Sequence, residues 1–117
     1  MSHKIKKISK IIDEVTTYFL YRYNCEIEIK IRPGKDAFYI KFFFKKLILD
    51  KKEIEELNDL MKKGRDPSLT SYYWQLTGEV ENNSELSLIG MMCDDVSIDQ
   101  TEDGLRLNLV RNIKSGE

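Results

Sequence analysis

Residues 25–45 read CEIEIKIRPGKDAFYIKFFFK, and this stretch decides the fold. Apolar and charged side chains alternate strictly over residues 25–32, which is the pattern of a half-buried strand. Turn residues follow over 33–36, and a second alternating run covers 38–45. Two alternating runs separated by four turn residues predict an antiparallel β-hairpin with one face in the core.

The second predicted strand has two unlike faces. One face is fully apolar, and the other mixes aromatic rings with lysines: Tyr39, Lys41, Phe43 and Lys45. Such a mixture resembles the platforms on which nucleic-acid bases stack. RNA-recognition sheets begin strand-helix-strand, however, whereas this chain begins helix-strand-strand. We therefore expect no nucleic-acid binding, and we expect this face to be partly covered or used in self-association.

Helical periodicity flanks the hairpin on both sides. Apolar residues recur every three or four positions over 3–23, which predicts a long amphipathic helix that ends at Asn24. After the hairpin, Asp50 and Glu53 have the spacing of a capping box, and Gly64 is a natural helix end.

The last third of the chain repeats this alternation of helix and strand. A short helical stretch is predicted over 69–76, and Ser84 can cap a further helix over 85–93. Alternating residues around Val96 and over 105–109 then predict two strands, joined by a hairpin turn at Gly104.

The predicted order is therefore α-β-β-α-(α)-α-β-β. Each strand has one apolar face and each helix one apolar stripe, which a single sheet with helices on one side satisfies. We predict an α+β fold, a two-layer sandwich of one roughly four-stranded sheet with helices on one face. The 117 residues fit a single domain over 1–117.

Composition restricts the classes of function. Nineteen Lys and Arg stand against 20 Asp and Glu, a balance of +6 over residues 1–65 and of −7 over 66–117. A nucleic-acid binder usually has a net basic balance, and this chain does not.

No apolar run approaches the roughly 18 residues of a membrane span, and no signal-peptide stretch follows the basic N-terminus. With two cysteines and no metal-binding spacing, we expect a reduced, cytoplasmic protein without membrane contact.

The chain resembles a known family in its element order. It also resembles that family in its hydrophobic pattern, from Asp66-Pro67 through 85–89 to the last hairpin over 96–110. This family is the histidine-kinase-like (GHKL/Bergerat) ATPase fold, in the small version of the anti-sigma-factor serine kinases. There the first helix carries a Glu-x-x-x-Asn motif, and an Asp-x-Gly-x-Gly loop holds the adenine. A lid and a glycine-rich turn then enclose the nucleotide.

All three nucleotide motifs depart from the family pattern. Glu14 matches the general base, but Tyr18 occupies the position of the magnesium-binding Asn. Residues 44–49 contain neither Asp nor Gly, and none of the residues 79–89 is Gly. Side chains at glycine positions block the close approach of backbone to phosphate, and a missing magnesium ligand leaves triphosphate charge uncompensated.

The resemblance and its departures together imply a non-catalytic, protein-binding regulator that has lost its nucleotide site and needs no cofactor. Its partner would be a protein of an anti-sigma or partner-switching circuit. The alternative is an ATP- and magnesium-dependent serine kinase with Glu14 as base and Lys45-Lys46 on the phosphates. A third hypothesis is a structural or self-associating module unrelated to that family.

We expect no residue to be catalytic, with Glu14 as the weak candidate. The adjacent aromatics Tyr72, Tyr73 and Trp74 lie in what the family would use as a lid, and they cannot all face one side of a helix. They either fill the emptied pocket or form an anchor for a partner, since Tyr and Trp are favoured at interfaces. The aromatic end of the first helix and the second-strand face both offer surfaces for a homodimer.

Overall fold

The computed structural model describes residues 3–63 and 84–113. These residues form three helices and four strands: α1 (His3–Tyr23), β1 (Ile27–Pro33), β2 (Ala37–Lys45), α2 (Lys51–Lys63), α3 (Ser84–Met92), β3 (Asp95–Thr101) and β4 (Gly104–Asn112). The predictions for 64–83, including the helix end at Gly64 and the short helical stretch over 69–76, lie outside the described residues.

The four strands form one antiparallel sheet in the order β1-β2-β4-β3. The predicted hairpins are β1-β2 and β3-β4, and they join through β2 and β4 at the centre of the sheet. Phe44 lies opposite Ile27 on one side and Leu105 on the other, so the apolar residues of adjacent strands share one face. The predicted α+β fold, a sheet packed with helices, is confirmed.

Two helix boundaries, the end of α1 and the start of α2, lie where local chemistry predicts. Asn24 adopts a left-handed conformation (φ 47°), and its N–H donates to the carbonyl of Leu20 at 3.1 Å, which ends α1. At the start of α2, the N–H of Glu53 donates to Asp50 Oδ1 at 2.8 Å and the N–H of Asp50 donates to Glu53 Oε1 at 3.3 Å. This reciprocal pair is the predicted capping box. Among the described helices, none is long and apolar enough to cross a membrane.

The core lies between the helices and one face of the sheet. The ring of Phe19 on α1 stacks on the ring of Phe44 on β2, with centroids 3.9 Å apart and planes 17° apart. Both side chains are almost fully buried. The leucines of β4 and side chains from all three helices complete this core: Leu105, Leu107, Leu109, Ile11, Val15, Met61, Leu86 and Ile89.

One polar side chain connects two loops at the end of the sheet. Gln100 lies on the same face of β3 as Val96 and Ile98, opposite the buried Leu105 of β4, and therefore faces the helices. Its Oε1 accepts from the N–H of Leu49 at 2.9 Å, and its Nε2 donates to the carbonyls of Leu47 and Gly104, each at 3.0 Å. This amide thereby fixes the β2-α2 connection to the β3-β4 turn.

The first strand departs from its prediction. The alternation over 25–32 predicts that its isoleucines are half-buried, but only Ile27 is, whereas Ile29 and Ile31 are 40 % and 44 % exposed. The inward side chains of β2 and β4 are buried because the helices lie over them. The strand β1 lies at the edge of the sheet, where this cover ends.

The burial difference between Phe43 and Phe44 predicts a stability difference. We expect Phe44→Ala to lower the free energy of unfolding by about 3–5 kcal/mol, because it removes a buried ring and leaves a cavity. The neighbouring Phe43→Ala removes the same atoms from the side of the sheet that no described element covers, and it should cost about 1 kcal/mol. Urea denaturation of the two variants measures the difference, and equal losses would contradict this assignment of faces.

Candidate functional site

The side of the sheet opposite the helices is not covered by any described element. We call it the open face. It consists of alternate residues of the four strands: Glu26, Glu28, Lys30, Arg32, Tyr39, Lys41, Phe43, Lys45, Asp95, Ser97, Asp99, Arg106 and Asn108. These side chains are exposed or half-buried. A sheet face with this many charged and aromatic groups is a candidate binding surface.

Two aromatic rings lie along β2 on the open face. The guanidinium carbon of Arg32 lies 4.1 Å from the centroid of the Tyr39 ring, which is a cation–π contact across the β1-β2 pair. Phe43 lies against Gly104 of β4, where an added Cβ would be 3.0 Å from Phe43 Cζ and 2.2 Å from the carbonyl oxygen of Phe44. Only glycine fits at this position, and its lack of a side chain leaves room for the Phe43 ring.

Three cations lie near Phe43, whose direct neighbour on β1 is Glu28. Lys30 on β1 lies directly opposite Lys41 on β2, and Arg106 on β4 lies opposite Phe43. None of the three forms an ion pair within the part of the chain that the structure describes. A shallow depression runs between them, also lined by Glu28 and Asn108. Like charges directly opposite each other destabilise a strand pair, so an anionic group in this depression would be favoured.

The charge arrangement is different at one corner of the open face. Lys45 Nζ lies 2.7 Å from Glu26 Oε2 and 3.4 Å from Glu28 Oε2. The hydrogen bond from Lys45 and its positive charge lower the pKa of Glu26, and the bonds to Glu26 and Glu28 raise the pKa of Lys45. Because both partners are exposed to water, this cluster adds little stability but keeps two carboxylates on the surface.

The opposite margin of the open face is also acidic. Asp95 and Asp99 lie on β3, with Asp99 opposite Arg106 in the register. The cationic centre around Phe43 therefore lies between two acidic margins, one at Glu26 and Glu28 and one on β3. A surface of mixed sign distinguishes partners by charge pattern rather than by net charge.

The weak catalytic candidate Glu14 lies on α1 and is buried, with 9 % exposure. A carboxylate on an amphipathic helix is usually exposed to solvent, but α1 turns this side chain inward. Its Oε1 lies 2.7 Å from Lys10 Nζ, one helical turn away. Lys45 projects from the opposite side of the sheet. The structure thus separates the proposed base from one of the lysines that the kinase alternative places on the phosphates.

A crevice lies between the end of α1 and the start of α2. It is lined by Tyr18, Arg22, Tyr23, Glu53, Glu56 and Asp59. The guanidinium of Arg22 lies 5.1 Å from the centroid of the Tyr18 ring. Burial raises the pKa of Tyr23, and the nearby Tyr18 and Glu53 raise it further, so this phenol stays protonated at neutral pH. The crevice has the character of a packing seam between helices.

The sequence also singles out an aromatic triplet and two cysteines. Tyr72, Tyr73 and Trp74 lie outside the described residues. Cys25 and Cys93 are free thiols, with Cys93 buried, and burial raises the pKa of Cys25. Within residues 3–63 and 84–113, no three His, Cys, Asp or Glu side chains come together as a metal site.

Sequence reasoning identified the β2 residues of the open face but missed Lys30, Arg32 and Arg106. Their roles depend on which strand lies beside β2 and in which register, and Arg106 is more than 60 residues away in the chain. The hairpin turn held one usable signal. It predicts that β1 and β2 are antiparallel neighbours, but a four-residue connection over 33–36 would set Lys30 opposite Tyr39 rather than opposite Lys41, as observed.

The Glu26–Lys45 pair predicts a measurable pKa change. We expect Lys45→Met to raise the pKa of Glu26 toward its ordinary value of 4.5, because the hydrogen bond and charge that lower it are lost. The pKa of Glu26 is lower in the folded chain than in the unfolded chain. The pair therefore stabilises the fold at pH values above the unfolded-state pKa of Glu26, and this contribution is lost as the pH falls through its folded-state pKa. NMR titration of the Glu26 side chain measures the change.

Lys46→Met is the matched control, since Lys46 acts on Glu26 only through its charge and is the smallest contributor. A shift as large in this variant as in Lys45→Met would contradict the assignment of the hydrogen bond.

No protein-family model matches the chain, and no curated protein matches it either. The resemblance to the anti-sigma-factor serine kinases therefore stays a prediction, and the geometry of the described surfaces carries the functional argument.

Proposed function

We propose that this protein is a non-catalytic regulatory module that binds another protein through the open face of its sheet. The observation that carries the proposal is the depression around Phe43, where Lys41 and Arg106 flank an aromatic ring without a carboxylate partner among the described residues. An aromatic ring beside cations that lack partners is a favourable anchor for an acidic or polar segment of a partner.

The charge pattern supports a protein partner over a nucleic acid. A nucleic acid presents phosphates along its whole length and favours a continuous basic surface. Here Glu26 and Glu28 form one margin of the face, and Asp95 and Asp99 form the other. These carboxylates would repel a phosphate chain that crosses the sheet, whereas a protein can offer cations to the margins and carboxylates to the centre.

The resemblance described above suggests the kind of partner. It implies a protein of an anti-sigma or partner-switching circuit. The two cysteines, which have no metal-binding spacing, separately favour a reduced, cytoplasmic setting in which Cys25 and Cys93 remain thiols. The same resemblance carries the alternative, an ATP-binding serine kinase with atypical nucleotide contacts. The pairing of Glu14 with Lys10, on the helix side of the sheet, favours the non-catalytic hypothesis.

Binding measurements with two variants test the proposal. A partner captured from the host by the tagged protein is purified, and its affinity for each variant is measured by calorimetry. We expect Lys41→Glu and Phe43→Ala each to weaken binding by about tenfold or more, because they remove charge complementarity and the aromatic anchor.

Tyr21→Ala is the matched control, because Tyr21 is 87 % exposed on α1, away from the open face. Loss of binding in Tyr21→Ala with full binding in both open-face variants would assign the partner to the helix side and overturn the proposal.

A thermal-shift titration separates the two functions. We expect the melting temperature to stay unchanged with ATP, ADP or GTP, with or without magnesium. A ligand that binds only the native state must raise the melting temperature in a dose-dependent way. A rise of several degrees with ATP and magnesium would favour the kinase, and Glu14→Ala would then show whether that carboxylate takes part.

A further inference from the structure

The outer edge of β1 is open for backbone pairing. Within β1-β2, the N–H of Lys45 donates to the carbonyl of Glu26 at 2.9 Å and the N–H of Gly34 donates to that of Ala37 at 2.8 Å. In an antiparallel pair hydrogen-bonded positions alternate, so the even-numbered residues of β1 bond to β2. Ile27, Ile29 and Ile31 therefore direct their N–H and C=O groups away from the sheet, and no described strand pairs with them.

This edge lacks most of the features that protect edge strands. Natural edge strands are short, bulged or covered, or they carry charges or proline, because they otherwise pair with other chains; of these features β1 has charges on one face and Pro33 at its end. The register of β1 with β2 runs without a bulge from Ile27 to Pro33, and Ile29 and Ile31 expose apolar surface on the helix side. The other edge, β3, carries Asp95 and Asp99, two like charges that oppose self-pairing.

The charges of β1 are antisymmetric about Ile29. Going outward from this residue, Glu28 mirrors Lys30, Ile27 mirrors Ile31, and Glu26 mirrors Arg32. A strand with this pattern is complementary to a second copy of itself that runs antiparallel with the two-fold axis at Ile29. We propose that two copies of the chain pair in this way and form a continuous eight-stranded sheet.

The proposed register satisfies backbone and side chains together. Ile29 faces Ile29 of the second copy, and Ile27 faces Ile31, so all outward N–H and C=O groups of these residues find partners. The charged residues then occupy the non-hydrogen-bonded positions, where opposite side chains come closest. Glu28 meets Lys30 of the second copy there, and Glu26 meets Arg32. Each of these contacts occurs twice in a symmetric dimer.

Every neighbouring register with the same backbone pairing brings like charges together. An axis at Glu28 or at Lys30 places that residue against its own copy. An axis at Ile27 sets Glu26 against Glu28, and one at Ile31 sets Lys30 against Arg32. Like charges directly opposite each other are destabilising, so the sequence selects the axis at Ile29.

The dimer also relieves an unfavourable contact within each chain. Lys30 lies opposite Lys41, and neither has a carboxylate partner among the described residues. In the proposed register, Glu28 of the second copy lies on the free side of Lys30. The side chain of Glu28 is 61 % exposed, and its Oε2 lies only 3.4 Å from Lys45 Nζ. Glu28 can therefore contact Lys45 of its own chain and Lys30 of the second copy together.

Charge-swap variants test the register. One variant, Glu26→Lys with Glu28→Lys, makes β1 entirely basic, and the other, Lys30→Glu with Arg32→Glu, makes it entirely acidic. We expect the wild type to show twice the 13.8 kDa chain mass in analytical ultracentrifugation. Each variant alone should be monomeric, and an equal mixture should restore the dimer. Lys30→Glu alone should raise the dimer dissociation constant about tenfold or more.

Lys41→Glu is the matched control. It makes the same charge change on the same face, but on a central strand, and we expect it to remain dimeric although it should lose the partner binding proposed above. The dimer is therefore tested separately from the proposed function. Circular dichroism melts show whether each variant is folded.

Amide hydrogen exchange tests the wild type directly, without a variant. The amides of Ile27, Ile29 and Ile31 should gain protection as the chain concentration rises. A wild type that is monomeric up to about 1 mM, where a dissociation constant of about 0.1 mM would leave most chains paired, would overturn the proposal. Variants that dimerise alone, a mixture that stays monomeric, or species larger than a dimer would also overturn it.

Discussion

The stack of Phe19 on Phe44 joins the first helix to the central strand, and much of the structure follows from it. A strand alternates its side chains between two faces, so once Phe44 enters the core, Phe42 and Ile40 must follow, and Phe43 and Lys41 must lie on the other side. The antiparallel register then carries the same division to β4, where the leucines face the helices and Arg106 faces out. The core and the open face are thus two consequences of one alternation.

The helices cover this sheet unevenly. They bury the inward side chains of β2 and β4, whereas β1 at the edge keeps Ile29 and Ile31 partly exposed. A domain of this size has few elements with which to cover a four-stranded sheet. No described element covers the open face or pairs with either edge of the sheet, β1 or β3. The proposal for a protein partner uses the open face, and the proposal for a second copy uses the edge at β1.

Charge gives the two surfaces different character. The open face combines a cationic centre with acidic margins, and the edge strand has carboxylates in its first half and cations in its second. The small net charge of −1 conceals both patterns. The net charges of residues 1–65 and 66–117 have opposite signs and nearly cancel, which indicates a charge asymmetry. They do not show where on the surface it lies, because that depends on which strands are neighbours.

The sequence by itself determined the secondary structure of the described residues, the capping of α2, the end of α1 at Asn24 and the α+β class. These features depend on local periodicity and on hydrogen bonds between residues close in the chain. Only the tertiary structure decided that Glu14 is buried, that Ile29 and Ile31 are exposed, and that Gln100 joins two loops. It also brought Arg106 beside Phe43. Each of these facts depends on strand order and on how far the helix layer extends, and no local pattern encodes either.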